Sequence, residues 1–201
     1  MASEAPSTTH EGSAAASLLI IAGLRASGKS TIGPLLAERL KLPFSDLDHE
    51  TALTMQGAHG VKSVSELFQT AGEPAFRTAE CDAFARVTND ALASSGLVLA
   101  LGGGTLMQDR AQATLRQLRA RTPVFVLLLD PPVAIMRARL EESAGDRPSL
   151  TGASVSDEVA AVATQRLGTY RAFADAIIHE CSAPDTVAQA CVDAYRRWKQ
   201  A

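Results

Sequence analysis

Gly23-Leu24-Arg25-Ala26-Ser27-Gly28-Lys29-Ser30 follows directly on the apolar run Leu18-Leu19-Ile20-Ile21-Ala22, and together they decide how the chain folds. A strand that feeds a G-x-x-x-x-G-K-S loop, with a helix opening at Lys29, is a phosphate cradle. The outer glycines let the backbone curl, so that successive N–H groups point inward at the β-phosphate. Lys29 neutralises the β and γ oxygens in such a loop, and the Ser30 hydroxyl is placed to ligate Mg²⁺. The helix expected over 29–40 adds its positive N-terminal dipole. Ala26, Ser27, Gly28, Lys29, Ser30 and Thr31 are therefore the expected nucleotide-binding residues. A Gly-rich turn of no function is the alternative, and the strand before and the helix after speak against it.

Working outward, apolar runs at 97–101 and 124–129 are continuous rather than alternating, as strands covered on both faces read. A weaker run lies at 175–179, and a short strand through Pro43-Phe44-Ser45 is expected to end at Asp46. Helical stretches separate them, at 29–40, 63–71, 73–94, 109–120, 132–143, 155–166 and 185–199. Strands alternating with helices of this length predict an α/β fold with a parallel, doubly wound sheet. Two regions interrupt the pattern. Residues 54–62 contain Gly and His and are expected to break the helix begun after Asp48; residues 143–154, around Arg147, are expected to form a mobile loop or lid.

At 201 residues, 46% of them hydrophobic, the chain supports a single packed domain over 18–201. Residues 1–17 are Ala, Ser, Thr and Glu-rich, cannot offset their ordering entropy, and read as a disordered tail with neither a secretory signal nor a transit peptide. A net charge of -3 gives no general reason to expect nucleic acid or an anionic membrane as partner. No apolar run approaches the roughly 18 residues of a membrane span. Cys81, Cys181 and Cys191 form no C-x-x-C pair, so reduced thiols in a cytoplasmic protein are expected.

The chemistry-bearing groups gather where strands are expected to end. Asp46 and Asp48 form D-L-D after the second strand; alternation puts both carboxylates on one side if the strand continues, one to hold Mg²⁺ through water, the other to orient or deprotonate a hydroxyl. The alternative is a solvated acidic turn with Asp48 as helix N-cap. Gly102-Gly103-Gly104 ends the next strand and strips side chains from a stretch of backbone, which suits close approach of a polar ligand. Arg77, Arg147 and Arg166 supply guanidinium groups for a carboxylate or a transferring phosphoryl group.

As a set these stretches resemble the shikimate kinase family: G-L-R-A-S-G-K-S-T-I-G (23–33), F-S-D-L-D-H-E (44–50), S-V-S-E-L-F-Q-T-A-G-E-P-A-F-R-T-A-E (63–80), L-A-L-G-G-G (99–104), D-R-P-S-L (146–150) and R-L-G-T-Y-R-A-F-A (166–174). The resemblance implies a three-layer P-loop kinase fold with a mobile lid. It implies ATP-dependent phosphorylation of the 3-hydroxyl of shikimate, a step of aromatic amino-acid (chorismate) biosynthesis, with ATP as co-substrate and Mg²⁺ as cofactor. On that resemblance Asp48 faces the attacking hydroxyl, and Asp46 reaches Mg²⁺ through water with Ser30 as direct ligand. Arg77 and Arg166 clamp the substrate carboxylate, Gly103 offers its N–H, Glu80 holds Arg77, and Phe68 and Phe76 wall the ring. Lys29 and Arg147 stabilise the γ-phosphate, and adenine lies between Arg139 and the loop at Pro184. The resemblance also implies a cytoplasmic enzyme, expected to be a monomer with no nucleic-acid or membrane partner.

The chain departs from the family pattern in places. Ser149 replaces a leucine of the lid, Gly168 stands where proline is usual and is expected to loosen a turn after Arg166, residues 54–62 look longer than the family's loop, and Ser182-Ala183 lack an arginine before Pro184. Two alternatives stay open: a related P-loop kinase for another hydroxy acid such as gluconate, and a non-catalytic ligand sensor. The second is expected where Lys29 or Asp48 has been lost, and both are present.

Overall fold

The computed structural model describes residues 17–59, 64–94, 96–142 and 155–201. The expected tail lies outside them except for Ser17, which opens the first strand, and so does the expected lid at 143–154, with Arg147 and Ser149. The apolar runs do become strands: β1 (Ser17–Gly23), β2 (Phe44–Asp46), β3 (Gly96–Ala100), β4 (Val124–Leu129) and β5 (Ala176–Ile178). All pair in parallel, in the order β2-β3-β1-β4-β5.

Strand period explains why β1 is apolar at every position from Leu18 to Ala22, and β4 throughout. Leu18, Ile20 and Ala22 of β1 and Val124, Val126 and Leu128 of β4 face one core. Leu19 and Ile21, with Phe125, Leu127 and Leu129, face the other. The first core is covered by α3 (Val64–Leu92), α4 (Asp109–Arg119) and α6 (Val155–Phe173), through Phe84, Leu115 and Tyr170 among others. The second is covered by α1 (Lys29–Leu40) and α7 (Pro184–Gln200), through Leu36, Val192 and Tyr195. Burial on both faces of a parallel sheet gives three layers. The fold is the α/β architecture expected from the sequence.

Three elements differ from expectation. The helix after Asp46, α2 (Leu47–His59), runs past Thr54 instead of breaking there. Leu47 and Thr51 are fully buried and Met55 nearly so; recurring every fourth residue, they form a stripe that carries the helix onward. Helix α6 likewise continues beyond Arg166 to Phe173, because Ala163, Tyr170 and Phe173 share a buried face. There is accordingly no turn after Arg166 for Gly168 to loosen; Gly168 faces open space within the helix. Lastly, β2 stops at Asp46, so strand alternation does not align Asp46 with Asp48. Asp46 is the capping residue: its Oδ1 accepts the Asp48 N–H at 3.0 Å, which leaves Asp48 in the first turn of α2. The two helices expected at 63–71 and 73–94 are the halves of α3, parted at Gly72 (φ 76°, ψ 168°) just before Pro74.

Sheet order positions the site. With β1 between β3 and β4, and β2 beside β3, the carboxyl ends carrying Gly23, Asp46 and the glycine triplet lie along one edge. α5 (Val133–Glu142) brings Arg139 to the same edge from beyond β4.

Candidate active site

The phosphate loop closes on itself. The Ser27 N–H donates to Leu24 O at 3.2 Å, and Gly28 (φ 104°) caps α1. Gly23 is required by packing: a Cβ there would lie 2.5 Å from Ser27 Oγ and 2.7 Å from Leu129 O. Ala26 adopts φ 61°, a left-handed conformation that costs a residue with a Cβ. Lys29 Nζ folds back to donate to Gly23 O and Leu24 O, both at 2.9 Å. Burial pushes its pKa below the usual lysine value, and the charges of Asp48 and Asp46 offset only part of that. Arg139 Nη1 donates to Ala26 O at 3.2 Å and stands over the loop near Gly28. Pro184 opens α7, whose first turn is held to α1 by Arg39 through Asp185.

Opposite Lys29, Ser30 Oγ donates to Asp46 Oδ2 at 2.9 Å. A hydroxyl and a carboxylate so placed are the hard oxygen donors that Mg²⁺ takes. Asp46 thus does two things: one oxygen caps α2, and the other meets the phosphate loop.

Next to this lies the glycine triplet, and each glycine is there for a close neighbour. A Cβ on Gly102 would collide with Glu80 Oε1 and Asp48 Oδ1. On Gly103 it would stand 3.3 Å from the Arg25 backbone N, so the triplet abuts the phosphate loop. On Gly104 it would press on the Arg77 guanidinium at 2.9 Å. Asp48, Glu80 and Arg77 therefore converge on three consecutive residues.

Glu80 is fully buried yet doubly bonded: it accepts from Arg77 Nη1 at 2.8 Å and from Thr105 Oγ1 at 2.6 Å. Burial lowers the pKa of Arg77; the Glu80 and Glu73 carboxylates together outweigh it, and the net shift is upward. The Nε and Nη2 edge of Arg77 faces Glu73 at 3.3 Å. Phe76 is buried, with the Arg77 guanidinium 5.1 Å from its ring centroid, so it backs the arginine. Across the triplet, Arg166 Nη1 donates to Gly103 O at 2.7 Å, and Tyr170 Oη donates to the same oxygen at 2.6 Å.

The structure thus gathers Lys29, Ser30, Asp46, Asp48, Arg77, Glu80, Gly103 and Arg166 along one edge. Pro184 and Arg139 sit on elements at that edge. Arg147 and the side chain of Phe68 lie outside the described residues. An open cleft of about 610 Å³ between α3 and α4 meets this group only at Arg77; phosphate-loop geometry, rather than cleft size, locates the site. Sequence reasoning quoted Glu73 and Tyr170 in its motifs but gave them no role, and it missed Thr105. Tyr170 follows Arg166 by four residues, one helical turn, so extending that helix would have exposed the pair.

A shikimate kinase family profile matches residues 25–196. The chain belongs to the shikimate kinase family. The shikimate kinase of Nitratidesulfovibrio vulgaris is 39% identical over 161 residues, which cover 79% of this chain and 83% of that one. Among solved structures, the shikimate kinase from Acinetobacter baumannii in complex with shikimate superposes with a TM-score of 0.75 at 27% identity, covering 91% of this chain and 94% of that one. A gluconokinase from Sinorhizobium meliloti superposes at a TM-score of 0.59 with 15% identity, over 92% and 94% of the two chains; it shares the fold alone. Family members are phosphotransferases with a hydroxyl acceptor and ATP as donor.

Proposed function

We infer that the protein transfers the γ-phosphate of ATP to the 3-hydroxyl of shikimate. The observation that carries this, beside family membership, is the meeting of Asp48 with Arg77 and Arg166 around Gly102–Gly104, against the phosphate loop. Two guanidinium groups suit a carboxylate, and the Asp48 carboxylate suits a ring hydroxyl.

In this reading the acid's carboxylate displaces Glu73 from the Nε and Nη2 edge of Arg77 and pairs with Arg166, beside the Gly103 N–H. Asp48 orients the 3-hydroxyl toward the γ-phosphorus and accepts its proton as the new P–O bond forms and the bond to ADP breaks. Lys29 exchanges the carbonyls of Gly23 and Leu24 for the β and γ oxygens. The charge of the triphosphate would favour its protonated form, against the burial that lowers its pKa. Mg²⁺, arriving with ATP, would bind Ser30 directly and Asp46 through water, and would neutralise phosphate charge. Arg147 keeps the γ-phosphate role that the family resemblance gives it; Phe68 and Phe76 keep the ring, and Arg139 and Pro184 the adenine. Among the described residues no helix is long and apolar enough to cross a membrane. We propose a cytoplasmic monomer acting within the shikimate pathway.

The test is coupled ADP release with Mg²⁺ and ATP over a panel of hydroxy acids that includes gluconate. ADP release that depends on shikimate and not on gluconate is expected. Release independent of shikimate defeats the reading, and release driven by gluconate replaces the acceptor.

A further inference from the structure

Resting on that reading, we propose that Tyr170 is a positioning residue for acid recognition: its hydroxyl pins the Gly103–Gly104 peptide that spaces Arg166 from Arg77. Arg166 is docked on the carbonyl of Gly103, and the guanidinium of Arg77 lies against the α-carbon of Gly104. One planar peptide unit therefore separates the seats of the two arginines. Neither residue of that unit has a side chain to anchor it, and glycine backbone is the most freely rotating of all. The turn that follows fixes its flanks, with the Thr105 N–H donating to Gly102 O and the Met107 N–H to Gly104 O, but the Gly103 carbonyl itself is held from outside the loop.

The Gly103 oxygen has two lone pairs, and two donors meet it: Arg166 Nη1 at 2.7 Å and Tyr170 Oη at 2.6 Å. The division of labour follows from their chemistry. A substrate carboxylate pulls on Arg166, which can trade the carbonyl for the stronger charge-assisted partner. Tyr170 has no such alternative. Its ring is 1% exposed and fixed within the core under the sheet, so its hydroxyl keeps the carbonyl in register while Arg166 engages the ligand. Burial also pushes the phenol up to about 12, so it remains a donor at every working pH.

Tyr170→Phe removes one oxygen and leaves the packing ring. The expected result is a KM for shikimate raised about tenfold, with kcat within about twofold and KM for ATP unchanged. Thr88→Val serves as control, because Thr88 is a fully buried hydroxyl bonded to Phe84 O on α3, away from the site. It should lower thermal stability without moving either KM. An unchanged KM for shikimate in Tyr170→Phe, or equal changes in both KM values and kcat, overturns the assignment. Wild-type protein that shows no shikimate-dependent ADP release overturns instead the reading on which it rests.

Discussion

Gly104→Ala isolates the seating of Arg77. Gly104 has φ −132° and ψ −1°, so its backbone does not call for glycine; its surroundings do. The new Cβ would lie 2.9 Å from Nη1 and Nη2 of Arg77 and 3.0 Å from its Cζ. Ordinary contact needs about 3.5 Å or more, so the guanidinium must retreat by about half an ångström. It cannot do so freely. Its Nη1 is bonded at 2.8 Å to Glu80, which is immobilised by full burial and by Thr105 at 2.6 Å. A hydrogen bond to a charged group is worth about 1.5–3 kcal/mol, and roughly 1.4 kcal/mol is tenfold in affinity. Loss of this seating should lower kcat/KM for shikimate by about 10–100-fold, almost wholly through KM, with KM for ATP unchanged. Steady-state kinetics in both substrates, with circular dichroism to verify the fold, measures it. A folded Gly104→Ala protein with wild-type KM for shikimate would refute the role given to Arg77. Gly168→Ala is the contrasting substitution: nothing lies within 4 Å of its Cβ. Within α6 it should add up to about 1 kcal/mol of stability by thermal melt and leave the kinetics alone.

Asp48→Asn should reduce turnover by a factor of roughly 100 or more while ATP still binds, as titration calorimetry would show; retained turnover removes Asp48 as proton acceptor. Ala26→Gly relieves a left-handed residue at φ 61° and should raise stability by about 0.5–1 kcal/mol, the relief exceeding the entropy glycine adds to the unfolded chain. A fall in Tm would show that the loop holds Ala26 without strain. Tyr170, lifted by burial to about 12 against an ordinary value of 10, keeps its proton in the folded state where the unfolded state has lost it. Stability must then fall as pH rises from 10 to 12, by about 1.4 kcal/mol per unit more in wild type than in Tyr170→Phe. Parallel stability–pH curves for the two proteins would contradict the burial of that hydroxyl.

Much of this was legible before any coordinate. Gly23 to Ser30 can be read because its chemistry is local: a turn, a helix N-terminus and a lysine within eight residues. β1, β3 and β4 announce themselves by unbroken apolar runs, which only a sheet covered on both faces tolerates. Errors fell where local signals compete with burial. Gly57 suggests an earlier end to α2, yet the buried stripe of Leu47, Thr51 and Met55 carries it to His59. Gly168 similarly obscured the continuation of α6, and with it the turn-by-turn relation of Arg166 to Tyr170.

The sequence by itself determined the donor half: a triphosphate cradle on a parallel sheet, with the family resemblance naming the acceptor. Only the tertiary structure decided which groups meet. Ser30 finds Asp46, Thr105 finds Glu80, and Arg166 and Tyr170 find Gly103 across 16, 25, 63 and 67 residues of chain. Those separations are closed by the strand order β2-β3-β1-β4-β5, which sets Asp46 and the glycine triplet beside the phosphate loop. Strand order follows from packing the whole chain around two cores, a global property that no short stretch of residues encodes.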